Sequence, residues 1–241
     1  MLFRSSVHMT TKSDPLSDIQ RNFTRVPPEI VKKAAGFQAA ILADVAGRRG
    51  TLHGRIRGLA PSMKFAGPAL TVEVRPGDNL MIHAAMALAR PSDVLVVDGK
   101  GDQTCALMGA IMMNACKKIG LAGVILDAAC RDAEEICALD FPVFSAGTNP
   151  NGPTKFVPGR INWPISAGGI AIRPGDLIVA DSDGVVVVER EKAESLLALA
   201  AKKVADESKR IDAIRKGESL RPAWLDGALR AAGVLKEGET L

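Results

Sequence analysis

The feature that most restricts this chain is a strand-helix alternation running from Gly67 to Asp140. Gly67-Pro68-Ala69-Leu70-Thr71-Val72-Glu73-Val74 has strand composition and ends in the turn Arg75-Pro76-Gly77-Asp78. Asn79 to Ala89 then reads as an apolar helix that starts behind Asp78 as its cap. The order repeats as strand Asp93 to Asp98, a glycine-bearing loop, a helix to about Ile119, strand Ala122 to Asp127 and a short helix after Arg131-Asp132. Two successive units of this kind call for parallel strands covered by helices, so the expected fold class is α/β.

The flanks read differently. A polar arm opens the chain, and Pro27-Pro28-Glu29 starts a helical pattern because proline is tolerated, and an acid favoured, in a first turn. Gly36 separates that helix from a second one that closes between Asp44 and Gly50. The stretch Gly147 to Pro164 is rich in Gly, Pro and Asn and reads as a long ordered loop, a class of segment that often carries function. Ile170 to Ile172, Leu177 to Ala180 and Val185 to Val188 read as a meander of short strands, and Glu191 to Lys216 as a charged amphipathic helix. The expected division is an arm over 1–25, one domain over 26–216 and a helical extension over 217–241, with a short helix around Pro222 to Ala232.

With 31 basic and 27 acidic residues the net charge is only +4, and no Lys/Arg run exceeds a pair, which argues against a nucleic-acid partner. Apolar runs such as Leu121 to Leu126 fall far short of the roughly 20 residues that span a bilayer, so no membrane is expected. The opening residues lack the apolar core of a secretory signal, and the expected location is the cytoplasm. Cysteines 105, 116, 130 and 137 form no C-x-x-C pair and read as buried small hydrophobes, while the three histidines are too dispersed to form a metal cage.

Four motifs bear on chemistry. Val97-Asp98-Gly99-Lys100-Gly101-Asp102 lacks the spacing of a dinucleotide or phosphate loop and reads as a turn that uses glycine for positive φ. Arg131-Asp132 follows an apolar strand, where open α/β sheets place their ligand crevice. It suits a small acid, and equally a strand-end arginine neutralised by its neighbour. Gly109-Ala110-Ile111-Met112 is a candidate helix start with amides open to an anion, though Thr104 is an alternative cap. Asp181-Ser182-Asp183-Gly184 reads as a hairpin turn, and Glu207 by pattern alone as a solvated helix residue.

Taken together, Gly77-Asp78-Asn79-x-x-x-His83, Gly109-x-x-Met112, Gly120-x-x-Gly123-x-x-x-Asp127-x-x-x-Arg131-Asp132, Phe141-Pro142-Val143-Phe144, Pro174-Gly175-Asp176 and Ala180-Asp181-x-Asp183-Gly184 resemble a known family. It is that of the class II pyruvate aldolases that includes 4-hydroxy-4-methyl-2-oxoglutarate aldolase and its non-catalytic relative, the regulator of ribonuclease activity A. The resemblance implies a swivelling β/β/α-type domain, an α-β-β-α sandwich, assembled as a homotrimer or hexamer with sites between subunits. It implies that Arg131 holds the pyruvyl group and stabilises its enolate, and that Asp132 holds Mg²⁺ or Mn²⁺ partly through water. It implies too that amides after Gly109, those of Ala110, Ile111 and Met112, cradle a carboxylate. Less directly it places Lys155 near the entrance, Asp44 facing the site, and Glu207 of a neighbouring subunit beside the metal waters. One departure is clear: the position after Gly109, an acid in aldolases of this group, is Ala110. The function implied is metal-dependent cleavage of a 4-hydroxy or 4-carboxy 2-oxo acid to pyruvate, by retro-aldol reaction or oxaloacetate decarboxylation. The alternative is a regulatory protein of the same fold without turnover.

Overall fold

The computed structural model describes residues 18–218 and 220–241, so most of the polar arm, with His8, lies outside the described residues. In chain order the elements are α1 (Pro28–Ala34), α2 (Ala39–Val45), β1 (Arg57–Gly58), β2 (Phe65–Glu73), α3 (Leu80–Met86), β3 (Val94–Met108), α4 (Ala110–Ile119), β4 (Gly123–Cys130) and α5 (Ala133–Ala138). They continue as β5 (Val143–Thr148), β6 (Arg160–Ile161), β7 (Ile165–Ala167), β8 (Ile170–Ile172), β9 (Leu177–Asp181), β10 (Gly184–Val188), α6 (Ala193–Arg215) and α7 (Leu225–Ala231).

The main sheet runs β1-β5-β4-β3-β2-β9-β10, with β6 on β2, and β7 pairs separately with β8. β2, β3, β4 and β5 are parallel, as the β-α alternation predicts, while β9 and β10 add an antiparallel hairpin. β2 joins the two parts. Its first half, through Pro68, pairs with β9, and from Ala69 onward it pairs with β3. Proline, which has no N–H to give a ladder, sits at this change of partner. Each part has its own apolar cluster: one gathers Leu70, Val96, Ile125 and Phe144 under α3, α4 and α5. The other packs Ile30 and Leu42 of α1 and α2, and Leu197 of α6, against Leu177, Val179, Val186 and Val188. The result is a mixed α/β domain with helices on both layers. The buried Asp93 carboxylate takes two hydrogen bonds from Arg25, at 2.7 and 2.9 Å, and so ties the segment before α1 to the start of β3.

Two expectations change. β3 continues beyond Asp98 to Met108, so Thr104 caps no helix, and α4 begins at Ala110. The strand passes Lys100 and Gly101, both at positive φ, with register shifts that bring Asp102 opposite Ala128 and Met108 opposite Cys130. Positive φ at Gly101 agrees with the expected turn; Gly99 is there for space, since a Cβ would lie 2.7 Å from Ala128 Cβ. The cysteines differ at one position: Cys105, Cys116 and Cys130 are buried, and burial pushes the Cys116 thiol up to about 12, but Cys137 on α5 is exposed.

Candidate active site

The site lies where the parallel strands end. β4 is buried along its whole length up to Cys130, so the two residues that follow are the first free to meet solvent. Arg131 N–H still donates to Met108 O at 3.0 Å, which fixes the arginine beside the start of α4. Asp132 then turns left-handed, with φ 60° and ψ 40°, a conformation that costs a non-glycine residue about 1 kcal/mol or more. The turn brings the Asp132 Oδ2 atom to 2.9 Å from the Ala110 N–H, which donates to it. A carboxylate thus holds the first amide of α4, whose free donors and dipole favour negative charge.

Gly109 explains why the pair fits. Its backbone is extended, so φ does not demand glycine, but a Cβ would stand 2.4 Å from Asp132 Oδ2 and 3.0 Å from Arg131 Cγ. On the other side a Cβ on Gly152 would lie 3.1 Å from Arg131 Nη1. The guanidinium is therefore flanked by two glycines, one before α4 and one in the 149–157 loop. That loop is stitched down: Asn149 N–H donates to Cys130 O at 2.9 Å, and Ala106 N–H donates to Asn151 O at 2.8 Å. The expected ordered loop folds back over the strand ends.

Together these segments enclose a cavity of about 180 Å³ whose wall includes Gly109, Ile111, Met112, Arg131, Asp132 and Lys155. So Arg131, Asp132, Lys155, Gly109, Ile111 and Met112, named from sequence, meet at one place; Ala110 does not line it, and its amide, expected to receive a substrate carboxylate, is spent on Asp132. Asn79 and His83 also line the cavity, and motif reading gave them no role. The available signal was their i, i+4 spacing, which puts both on one face of α3. Asn79 Nδ2 donates to Leu107 O at 2.8 Å, while its buried Oδ1 has no protein partner.

Beneath the loop, Asp78 is buried. Burial would raise its pKa, but hydrogen bonds from Phe156 N–H, Thr154 Oγ–H and Leu80 N–H prevail and hold it below the usual carboxylate value. Asp127, also in the family pattern, does not line the cavity. It binds Arg55 Nη2 at 2.8 Å and Gly168 N–H at 2.7 Å and joins the sheet to its flanking segments.

Asp44 and Glu207 are elsewhere in the chain. Asp44 on α2 and Glu207 on α6 both reach Lys203 Nζ, at 3.0 and 2.9 Å, and neither lines the Arg131 cavity of this chain. Donating hydrogen bonds to Glu207 and Asp44 pushes the Lys203 pKa up. Glu207 lies on the second half of α6, whose buried residues, Ala193, Leu197 and Ala200, all belong to the first half. Around it Val204, Ile211 and Ile214 are exposed.

Among the described residues no group of three or more His, Cys, Asp or Glu side chains could hold a metal ion, and no helix is long and apolar enough to cross a membrane. The Asp132 carboxylate, with one oxygen engaged by Ala110 N–H, is the one carboxylate among the described residues that line the cavity. A lone carboxylate fits Mg²⁺, which keeps most of its waters and commonly takes one or two protein carboxylates.

A protein of Halalkalibacterium halodurans named "Putative 4-hydroxy-4-methyl-2-oxoglutarate aldolase" is 43% identical over 175 residues, covering 73% of this chain and 83% of the relative. An Arabidopsis thaliana protein named "Putative 4-hydroxy-4-methyl-2-oxoglutarate aldolase 3" is 34% identical over 146 residues, covering 58% and 87%. The crystal structure of Streptomyces coelicolor RraAS2, described as an unusual member of the RNase ES inhibitor RraA protein family, superposes with a TM-score of 0.72. It is 28% identical over 78% of this chain and 98% of that one. Residues 17–187, more than two thirds of the sequence and all of the Arg131 cavity, match the pattern described as Aldolase/RraA, and the chain belongs to the RraA-like family.

Proposed function

We propose that this protein is a divalent-metal-dependent lyase that cleaves a 4-hydroxy or 4-carboxy 2-oxo acid to pyruvate. The observation that carries the reading is the meeting of Arg131, Asp132 and the first turn of α4 at one cavity, built around a glycine that no larger residue could replace without displacing Asp132. The aldolase names of its relatives point the same way.

In this reading Arg131 binds the keto acid. As the bond to C4 breaks, its electron pair moves into the pyruvyl unit and negative charge grows on the keto oxygen, which the guanidinium stabilises. The α4 amides of Ile111 and Met112, left without intrahelical partners, receive the substrate carboxylate. Lys155 meets the anionic distal end. When bound to Asp132, Mg²⁺ or Mn²⁺ would act as a Lewis acid toward that same oxygen. With a 4-hydroxy substrate the C4 hydroxyl gives its proton to water as C4 becomes a carbonyl carbon, and with oxaloacetate C4 leaves as CO₂; in both cases protonation at C3 from solvent completes pyruvate. Lysis without metal, or none at all, separates the readings: pyruvate release from oxaloacetate with Mg²⁺ should fall to background on adding EDTA and return with excess metal. Activity indifferent to EDTA would end the metal-dependent proposal.

Ala110 favours the second reading, a regulatory protein without turnover, because the family acid beside the site is missing. The likeness to RraAS2, an unusual member of the RNase ES inhibitor RraA protein family, supports that reading. A single carboxylate also implies weaker metal binding than two would give. Ala110→Asp is accordingly expected to tighten Mn²⁺ binding in titration calorimetry, since a second carboxylate would give the ion a further hard ligand. An unchanged Kd would mean that position 110 does not face the ion.

We place the working site between subunits of a homotrimer or hexamer. The exposed stretch of α6 around Glu207, and the exposed Ile111 and Phe156 beside the cavity, are the surfaces this assembly would cover.

A further inference from the structure

Lys155 stands in a stretch without regular secondary structure, between Pro153 and Val157, and a long ammonium there has no intrinsic reason to stay at the cavity. The backbone around it is nonetheless held. Thr154 N–H donates to Gly77 O at 2.8 Å, and Asn79 N–H donates to Thr154 O at 3.0 Å. Both partners flank Asp78, whose own carboxylate adds the decisive bonds. Asp78 Oδ2 accepts from Thr154 Oγ1–H at 2.6 Å and from Phe156 N–H at 2.8 Å, so the residues on either side of Lys155 end on one oxygen. Oδ1 accepts from Leu80 N–H at 3.0 Å, which anchors the carboxylate to the first turn of α3. Asp78 is only 1% exposed and does not line the cavity, so these bonds, rather than any contact with a ligand, account for a buried charge at this place.

We propose that Asp78 is a positioning residue: by clamping Thr154 and Phe156 it holds the Lys155 ammonium at the mouth of the Arg131 cavity, where an anionic substrate arrives. A carboxylate is required because three donors converge on it. An asparagine would turn its NH₂ toward Leu80 N–H or toward the Thr154 and Phe156 donors, whichever way the amide is rotated. The clamp joins the Gly77-Asp78-Asn79 motif to the loop, and so couples Asn79, which caps α3, and His83 on α3 to the lysine across the cavity.

The activity part of the test rests on the lyase reading, and a second part does not. Thr154→Val removes the hydroxyl at nearly constant volume, Thr154→Ser keeps it, and Lys155→Ala removes the positioned group. In steady-state oxaloacetate turnover with Mg²⁺, Thr154→Val should raise KM about tenfold with kcat within about threefold, a change typical of one lost hydrogen bond to a charged group. Thr154→Ser should restore KM. The double variant should be no worse than Lys155→Ala alone, because a clamp has nothing left to position. Independent, multiplying losses in the double variant, or an unchanged KM in Thr154→Val, would overturn the proposal. Hydrogen exchange of the full-length protein supplies the second part: in Thr154→Val and in Asp78→Asn the Phe156 amide should exchange at least about tenfold faster while the β4 amides keep their protection. If the wild-type protein turns over no oxaloacetate, the lyase reading falls alone. The clamp is then judged on exchange, where unchanged protection of Phe156 in both variants would refute it.

Discussion

Arg131→Ala should lower kcat/KM for oxaloacetate by at least about 10²-fold, corresponding to the ~3 kcal/mol lost with a transition-state donor. The expectation follows from how differently this arginine is held from the others near the sheet. Arg25 and Arg55 are locked by two-oxygen contacts to Asp93 and Asp127. Arg131 has a loose ion pair with Asp132 at 3.8 Å, its side chain is 44% exposed, and it lines the cavity between two glycines. Its donors are therefore available to a ligand. Lysine has one compact ammonium in place of a planar fork, so Arg131→Lys should recover little. The half-exposed side chain carries little packing, and thermal unfolding of Arg131→Ala should stay within about 2 °C of wild type, since surface changes usually lie within ±0.5 kcal/mol. Wild-type kcat/KM in Arg131→Ala would remove this residue from the reaction.

Two variants that are each inactive should regain activity when mixed. If Glu207 serves the cavity of a neighbouring subunit, Arg131→Ala and Glu207→Gln damage the same site from two different chains. In a mixed trimer, a site formed by the intact Arg131 of one chain and the intact Glu207 of the next is whole again. Random one-to-one exchange should restore about one quarter of the sites, because each of two independent positions is right half the time. The geometry motivating the test is specific. In its own chain Glu207 is spent on Lys203 together with Asp44, far along a helix of about 34 Å that extends beyond its buried first half. Subunit exchange is confirmed first by native mass spectrometry. No recovered turnover after confirmed exchange would place Glu207 outside catalysis or inside its own subunit's site.

Local pattern determined much of this architecture. The β-α alternation from Gly67, the helix opened by Pro27-Pro28-Glu29 and the turn at Asp181 to Gly184 are each set by neighbouring residues, through fixed φ, apolar period or the Asp183 N–H bond to Asp181 Oδ1. The position of Arg131-Asp132 at a strand end was legible for the same reason: an apolar run ends and the next residues are charged. β3 was not legible beyond Asp98. Lys100 and Gly101 read as a loop, and only pairing with β4 across register shifts keeps that segment in the sheet.

What the sequence by itself determined, then, is the α/β class, the strand end that carries Arg131 and Asp132, and through resemblance the family. The tertiary structure alone decided why Gly109 must be glycine, since the atoms that exclude its Cβ belong to residues more than twenty positions away. It also decided that Asp78 serves Lys155, through contacts 76 and 78 positions apart in the chain. It decided, too, that Asp44 and Glu207 share a lysine rather than the Arg131 cavity of the same chain. Periodicity and turn chemistry act over a few residues, whereas close packing and hydrogen-bond satisfaction depend on which distant segments the fold brings within 3 Å.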